Sequence, residues 1–153
     1  MGAMEDLYTD HYFMKMALKE AQKAYEANEV PIGAVIVARN QVIARAYNQV
    51  QMLNDVTAHA EILAITAAEQ AYGSKYLNDC TLYVTVEPCP MCAGAIKWSQ
   101  LDRLVYGTDD EKYGFMKFGK SILHPATKVA YGVCREEAME LMQQFFAERR
   151  KHK

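Results

Sequence analysis

Apolar residues are distributed along the chain in two patterns, at helical spacing and in short β-branched runs, which predicts both helices and strands. Between about residues 9 and 28 the apolar side chains recur at helical spacing, with lysines and glutamates between them. Two short β-branched runs follow at 32–38 and 41–47, and Arg39-Asn40 between them predicts a hairpin turn. The pattern therefore begins with one helix and one β-hairpin.

The remainder of the chain alternates helical and extended segments. A second helix is predicted from Thr57 or Ala58 to about Ala71, with Thr57 as its N-cap. An apolar, β-branched run predicts a buried central strand, and Pro88 is placed in the first turn of the helix that follows it. The central strand is predicted at 81–86 and the helix that follows it at 88–99. Two further strands are predicted at 103–107 and 128–133, and the last helix runs from 135 past 146.

This order of elements predicts an α/β fold, a three-layer α/β/α sandwich with a five-stranded mixed sheet. Strands that alternate with helices imply a largely parallel sheet covered on both faces, to which the hairpin adds one antiparallel edge. A chain of 153 residues suits a single domain that spans residues 1–153. The opening Met1-Gly2-Ala3-Met4 is interpreted as a cloning remnant before a native Met4.

Composition and charge narrow the class of protein. With 51% hydrophobic and 24% charged residues, the chain has the balance of a globular domain. It has no apolar run long enough for a bilayer and no signal-peptide pattern, so we expect a cytoplasmic protein that does not act at a membrane. The net charge of -2 does not indicate nucleic-acid binding. The basic run at 149–153 is either a solvated helix end or a patch that contacts phosphates.

Two short segments contain the candidate metal ligands, His-Ala-Glu at 59–61 and Pro-Cys-Pro-Met-Cys at 88–92. The imidazole of His59 and the thiolates of Cys89 and Cys92 are good zinc ligands, and they leave the fourth tetrahedral position for water, as in catalytic zinc sites. The spacing of the two cysteines places both on one face of the first turn of a helix, whose positive end favours thiolates.

Glu61 is the candidate to move protons to and from the water. Residues two apart on a regular helix point in different directions, so His59 and Glu61 converge only if the site wraps around the helix start. Two other interpretations explain less of the sequence. A thioredoxin-like redox pair leaves the His-x-Glu segment unexplained. A closed structural zinc site needs a fourth ligand. The remaining candidates are His11, His124, Cys80 and Cys134, and none of them has a matching close spacing.

The two segments together match the signature of zinc nucleobase deaminases, His-x-Glu followed later by Pro-Cys-x-x-Cys. More specifically, the chain resembles the bacterial tRNA-specific adenosine deaminases over nearly its whole length, from about residue 12 to 150. Bacterial guanine deaminases look much alike around the second motif, including Trp98. The matching segments lie at 29–35, 57–62, 82–89, 91–96 and 145–150.

The resemblance implies a cytidine deaminase-like fold and one Zn²⁺ per subunit, held by His59, Cys89 and Cys92. It implies that adenosine is converted to inosine at the wobble position of a tRNA anticodon, with an arginine tRNA as substrate. Glu61 would protonate the ring nitrogen N1 and then the leaving amine. The family usually forms a homodimer, with the RNA site built from both subunits.

The resemblance also implies contacts with the RNA. Asn48 matches a residue that hydrogen-bonds the flipped base. Asp110 and Lys112 match positions in a loop that contacts anticodon nucleotides. Arg149 and Arg150 match the basic end of the final helix, which approaches the RNA backbone.

Two other functions stay open from the sequence. A deaminase of guanine, cytosine or a free nucleoside would use the same metal site without needing the basic tail. A non-catalytic RNA-binding subunit would keep zinc only to stabilise its fold, although the intact Glu61 argues against this function. The bulky segment at 113–119 replaces small residues of many relatives, and its aromatics either stack on splayed bases or fill a dimer interface.

Overall fold

A computed structural model of the chain describes residues 8–151, so the opening Met1–Met4 and the last two residues of the basic run lie outside the described residues. Five strands form one sheet in the order β2-β1-β3-β4-β5. Two 3₁₀ turns, Phe115–Phe118 and Lys120–Ile122, lie between the last two strands. The elements are α1 (Asp10–Glu26), β1 (Gly33–Ala38), β2 (Gln41–Tyr47), α2 (Val50–Leu53), α3 (Ala60–Tyr72), β3 (Cys80–Val86), α4 (Pro90–Ser99), β4 (Arg103–Thr108), β5 (Lys128–Tyr131) and α5 (Arg135–Lys151).

Helices cover both faces of the sheet, which confirms the three-layer α/β/α sandwich. Because side chains alternate along a strand, β1 sends Ala34 and Ile36 into the core under α3 and α4. It sends Val35 and Val37 to the opposite face, against α1. The last helix, α5, lies on the same face as α1 and packs on β3 and β4. Among the described helices, none is both long and apolar enough to cross a membrane.

The sheet is less parallel than the sequence predicted. Strand β1 pairs antiparallel with both β2 and β3, whereas β3–β4 and β4–β5 are parallel pairs. The expectation of one antiparallel edge was therefore wrong. The unit β2–α3–β3 is a crossover between two strands that run in the same direction, and β1 lies between them.

The start of α3 also differs from the prediction. The helix begins at Ala60 with His59 as its N-cap, so Thr57 is not the cap. Thr57 instead donates both its backbone N–H and its hydroxyl to the carboxylate of Asp55, at 2.8 and 2.7 Å. This local turn satisfies Thr57 before the helix starts. The end before Gly73 is as predicted, because Gly73 takes the left-handed conformation there.

Helix α4 begins two residues later than predicted. Pro90 occupies its first turn and Cys89 is the N-cap, so Pro88 lies outside the helix. Pro90 has the position that was predicted for Pro88. Proline is suited to the first turn because the N–H groups there have no partner within the helix. The hairpin turn at Arg39-Asn40 is confirmed, with φ of 51° and 63°, as two-residue hairpins require.

The close approach of α1 to the sheet depends on a glycine at the start of β1. A Cβ on Gly33 would lie 2.1 Å from the carbonyl oxygen of Ala17 and 2.3 Å from the nitrogen of Ala21. Both of those atoms belong to the backbone of α1, which cannot yield as a flexible side chain can. The helix therefore rests directly on the strand at this point.

Candidate functional site

The candidate site lies at one edge of the sheet, where several chain segments meet. Strands β2, β3 and β4 end at this edge, and β1 begins there because it runs antiparallel to its neighbours. Open α/β sheets commonly bind ligands at such an edge. A cavity of about 1290 Å³ opens here, and its lining includes His59, Glu61 and Cys89 together with one side of α5.

Three potential zinc ligands converge at the bottom of this cavity. The Nδ1 atom of His59 lies 3.7 Å from Sγ of Cys89 and 3.5 Å from Sγ of Cys92. In a tetrahedral zinc site with bonds of about 2.0 Å to nitrogen and about 2.3 Å to sulfur, those atoms are about 3.5 Å apart. The three side chains therefore fit zinc. Within residues 8–151, no fourth His, Cys, Asp or Glu joins this group, so a tetrahedral ion keeps one position free of protein atoms.

Two helix starts bring the ligands together. His59 is extended, with φ of -72° and ψ of 152°, and the helix begins only at Ala60. The rule for residues two apart on a regular helix does not apply across this junction, so His59 and Glu61 can face the same space. Cys89 is likewise extended at the N-cap of α4, one turn before Cys92. The N-terminal ends of both helices favour negative charge at the site.

The cysteines share a proton in the absence of a metal. A hydrogen bond from the Cys92 thiol, supported by His59, lowers the pKa of Cys89 to about 4. The same sharing, together with burial, raises the pKa of Cys92. The hydrogen bond to Cys89 raises the pKa of His59 in turn. A cation stabilises both thiolates in place of the shared proton, which is the behaviour expected of a metal site.

Glu61 lies beside the ligands and is only 3% exposed. Burial raises the pKa of its carboxyl group to about 7. Its Oε1 atom is buried without a hydrogen-bond partner in the protein. A carboxyl group that titrates near neutral pH and has a free oxygen can both accept and return a proton.

The residues predicted to contact RNA all line this cavity, but they differ in their surroundings. Asn48 is buried next to the metal-ligand segments, at 6% exposure. Asp110 uses Oδ1 to accept the backbone N–H groups of Lys112 and Tyr113, at 3.1 and 2.9 Å. Part of the role of Asp110 is therefore to shape its own loop. Lys112 extends over the Tyr113 ring, with Nζ 5.4 Å from the centroid.

The basic end of α5 forms the rim of the cavity. The helix continues to Lys151, so Arg149 and Arg150 belong to a regular helix. The Arg149 guanidinium lies 5.0 Å from the centroid of the Phe145 ring, and its Nη2 donates to the carbonyl oxygen of Asn28 at 3.4 Å. These contacts hold Arg149 at the end of α1, facing the open cavity.

Two buried glutamates near the site had no role in the sequence-based prediction. Glu29 is 1% exposed and accepts the backbone N–H groups of Gln51 and Met52, at 3.0 and 2.7 Å. Glu87 is 7% exposed and accepts two N–H groups of the loop after β4. The available signal was one acidic residue two positions before Pro31 and another directly after an apolar strand, where a charge is costly to bury. The sequence also missed α2 and the apolar wall formed by Met139, Met142 and Phe146 of α5.

Comparison with known proteins gives a consistent result. Residues 7–108 match the family model of the cytidine and deoxycytidylate deaminase zinc-binding region. A tRNA-specific adenosine deaminase of Agrobacterium fabrum is 46% identical over 144 residues, which cover 91% of this chain and 95% of that protein. A solved structure from studies of A-to-I editing by tRNA deaminases at the wobble position of transfer RNA is 46% identical, with a TM-score of 0.80 and coverage of 85% and 98%. A guanine deaminase of Bacillus subtilis is 42% identical with a TM-score of 0.61, over 63% of this chain and 62% of that one.

Proposed function

The chain belongs to the family of cytidine and deoxycytidylate deaminases, and from this premise we propose that it is a zinc-dependent hydrolase that converts adenosine to inosine at the wobble position of a tRNA anticodon. One observation carries the proposal. His59, Cys89 and Cys92 converge beside the buried Glu61, at the bottom of a cavity whose rim is the basic end of α5.

The metal-binding part of the proposal assigns one Zn²⁺ per subunit to His59, Cys89 and Cys92. When bound, zinc supplies the Lewis acidity that makes water a nucleophile near neutral pH. The three side chains hold their positions through the two helix starts. Among the described residues no fourth candidate ligand joins them, which leaves room for water and the reacting base.

Glu61 carries the protons in this reaction. Water adds to C6 of adenine, and Glu61 accepts a proton from it and delivers the proton to the ring nitrogen N1. Glu61 then transfers the second water proton to the amino group, so that the C6–N bond breaks and ammonia leaves. The product is inosine, with a carbonyl at C6 and a proton on N1. The Glu61 carboxyl group is suited to both transfers because it is buried beside the ligands and its Oε1 has no hydrogen-bond partner in the protein.

The cavity favours a nucleic acid over a free base. Sites for small molecules usually enclose about 300–1,000 Å³, and this cavity measures about 1290 Å³. Arg149 and Arg150 at its rim suit phosphates, whereas a neutral free base needs no such charge. We assign the hydrogen bond to the base edge to Asn48, and its buried position in the cavity lining supports this assignment. A loop nucleotide can enter at low energetic cost, because it is not paired in a duplex.

The test compares the proposed RNA with free bases. We expect inosine and ammonia from an arginine-tRNA anticodon stem-loop with adenosine at the wobble position, and no turnover of free guanine, cytosine or adenosine. The similarity to a guanine deaminase makes guanine deamination the second candidate function. Turnover of guanine without inosine formation in the stem-loop would favour that candidate. Removal of the residues after Phe146 distinguishes the two, since only RNA binding needs the basic end.

We also propose a homodimer that works in the cytoplasm. Met91 and Trp98 project from α4 with exposures of 40% and 79%, at helical spacing that gives one apolar stripe. An exposed tryptophan of this kind is typical of an interface. Light scattering during size-exclusion chromatography should give about twice the mass of 17.3 kDa, and Trp98→Lys should give the monomer mass. If the wild-type protein is monomeric, the proposed dimer is excluded, whereas the proposed metal site is not affected by that result.

A further inference from the structure

We infer that Glu87 is a positioning residue for the RNA substrate, an inference that rests on the proposed function and deepens it. Glu87 fixes the loop at 110–116, which forms one wall of the cavity, relative to the metal ligands. The side chains of Lys112 and Tyr113 line the cavity from this loop. Glu87 itself is not a metal ligand and does not carry the chemistry.

A single carboxylate connects to both ends of the loop. Its Oε1 accepts the backbone N–H of Asp110 at 3.0 Å, and its Oε2 accepts the backbone N–H of Met116 at 3.0 Å. The backbone N–H of Glu87 donates to the carbonyl oxygen of Thr108 at 2.9 Å. The end of β4, the start of the loop and the end of the loop are therefore all hydrogen-bonded to Glu87.

The loop also reaches the metal-ligand segment directly. The backbone N–H of Phe115 donates to the carbonyl oxygen of Pro88 at 2.9 Å, and Pro88 directly precedes Cys89. Phe115 is fully buried and packs against Tyr106. A shift of the loop is thus resisted by one side chain in the core and by hydrogen bonds that the loop donates to Glu87 and Pro88.

Gly114 fits this arrangement for a steric reason. A Cβ at this position would lie 2.2 Å from Oε2 and 2.3 Å from Cδ of Glu87. The φ of Gly114 is -68°, which any residue can adopt. The glycine is therefore required by the carboxylate that lies against it, and by the Asp110 carbonyl oxygen at 2.5 Å, rather than by its own backbone angle.

Glutamate at this position is not interchangeable with glutamine. A carboxylate offers two acceptor oxygens, whereas an amide of the same size turns an NH₂ donor toward one of the two N–H groups. Glu87→Gln therefore breaks one of the two contacts and leaves the volume unchanged. Apart from the buried Phe115, the aromatic side chains of this region are exposed, by 62% for Tyr113 and by 67% for Phe118. Few packing contacts therefore hold the loop, and we expect it to loosen in this variant.

The experiment compares Glu87→Gln with wild type and with Glu20→Gln. Glu20 is a buried carboxylate of α1, paired with Lys23 and away from the cavity, so it controls for the loss of a buried charge. Zinc content, hydrogen exchange of peptides covering 109–118, and steady-state kinetics on the anticodon stem-loop are measured for each. In Glu87→Gln we expect faster exchange in the loop, unchanged zinc, and a KM raised roughly tenfold or more with kcat within about threefold.

Gly114→Ala provides a second variant, because its methyl group displaces the same carboxylate together with the Asp110 carbonyl oxygen. We expect the same loosening of the loop and the same rise in KM. Wild-type KM in both variants overturns the inference, and so does zinc loss or a fall in kcat with KM unchanged. The exchange measurement needs no RNA. If the wild-type chain fails to deaminate the stem-loop, the proposed function fails, while loop exchange in Glu87→Gln still decides whether Glu87 holds the loop.

Discussion

Replacing Glu61 by glutamine should abolish catalysis and stabilise the metal-free protein at the same time. The side chain is 3% exposed, and glutamine has the same shape, so the cavity is preserved. The amide cannot accept the proton from water or give it to the substrate. Positioned proton transfer contributes about 10²–10⁴-fold, and the proposed reaction assigns two such transfers to Glu61, so we expect kcat to fall at least about 10³-fold.

The stabilisation follows from the burial of the carboxyl group. Its pKa is raised from 4.5 to about 7 in the folded protein, so the folded state binds the proton more tightly than the unfolded state. Folding stability therefore declines as the pH rises through that interval, and above pH 7 the ionised carboxylate costs up to about 3 kcal/mol. Glutamine removes this cost. For a chain of this size that corresponds to a rise in Tm of several degrees, at roughly 2–4 °C per kcal/mol.

The assay measures Tm of the metal-free proteins at pH 5 and pH 8, zinc content by mass spectrometry, and single-turnover inosine formation. Glu61→Gln should gain stability over wild type at pH 8 but much less at pH 5, where the wild-type carboxyl is protonated. Glu26→Gln, which changes an exposed carboxylate at the end of α1 outside the cavity lining, is the control and should change neither property. A variant with full zinc and less than a tenfold loss in rate, or with the same stability difference at both pH values, would refute this reasoning.

Three further perturbations test other parts of the structure. Asp10→Asn removes the paired hydrogen bonds to Arg103 at 2.6 and 2.7 Å and should cost about 1–2 kcal/mol at pH 7. Because Arg103 lowers the pKa of Asp10, this difference in urea unfolding should persist above about pH 4 and shrink as the pH falls below it. Arg150→Ala should weaken stem-loop binding and reduce the slope of log K against log salt by about 1, whereas an unchanged slope would exclude a phosphate contact. Removal of zinc by a chelator should lower Tm by about 10 °C, since an ion present at 1,000 times its Kd contributes about 4 kcal/mol.

The elements with strong local signals were predictable from the sequence. The β-hairpin follows from two short β-branched runs on either side of Arg39-Asn40, and both turn residues have positive φ. The layers follow from the order of helices and strands. The identity of the three clustered side chains was also within reach, because His59, Cys89 and Cys92 are the ligand types that zinc prefers, in two closely spaced groups.

The exact helix starts were less predictable because two candidates competed at each. Thr57 is a better N-cap by residue type than His59, but Asp55 takes its hydrogen bonds. Pro88 and Pro90 are equally compatible with a first turn. The choice matters for the site, because the convergence of His59 and Glu61 requires the helix to begin between them.

The two buried glutamates lay beyond the sequence-based prediction for a different reason. Glu29 and Glu87 bind backbone N–H groups of segments more than 20 residues away in sequence. Backbone donors carry no residue-type signature, so a sequence does not show which of them a carboxylate will meet. Only the tertiary arrangement of the loops supplies both partners.

The antiparallel placement of β1 has a consequence for the active site that a parallel sheet would not allow. In a parallel arrangement, the chain entering β1 would lie at the edge opposite to the end of β3. Because β1 is reversed, the segment containing Glu29 and Val30 enters at the edge where β3 delivers Cys89, and both line the same cavity. The hairpin then returns β2 to this edge, so that Asn48 follows it into the cavity wall. A single reversed strand therefore contributes two walls of the site.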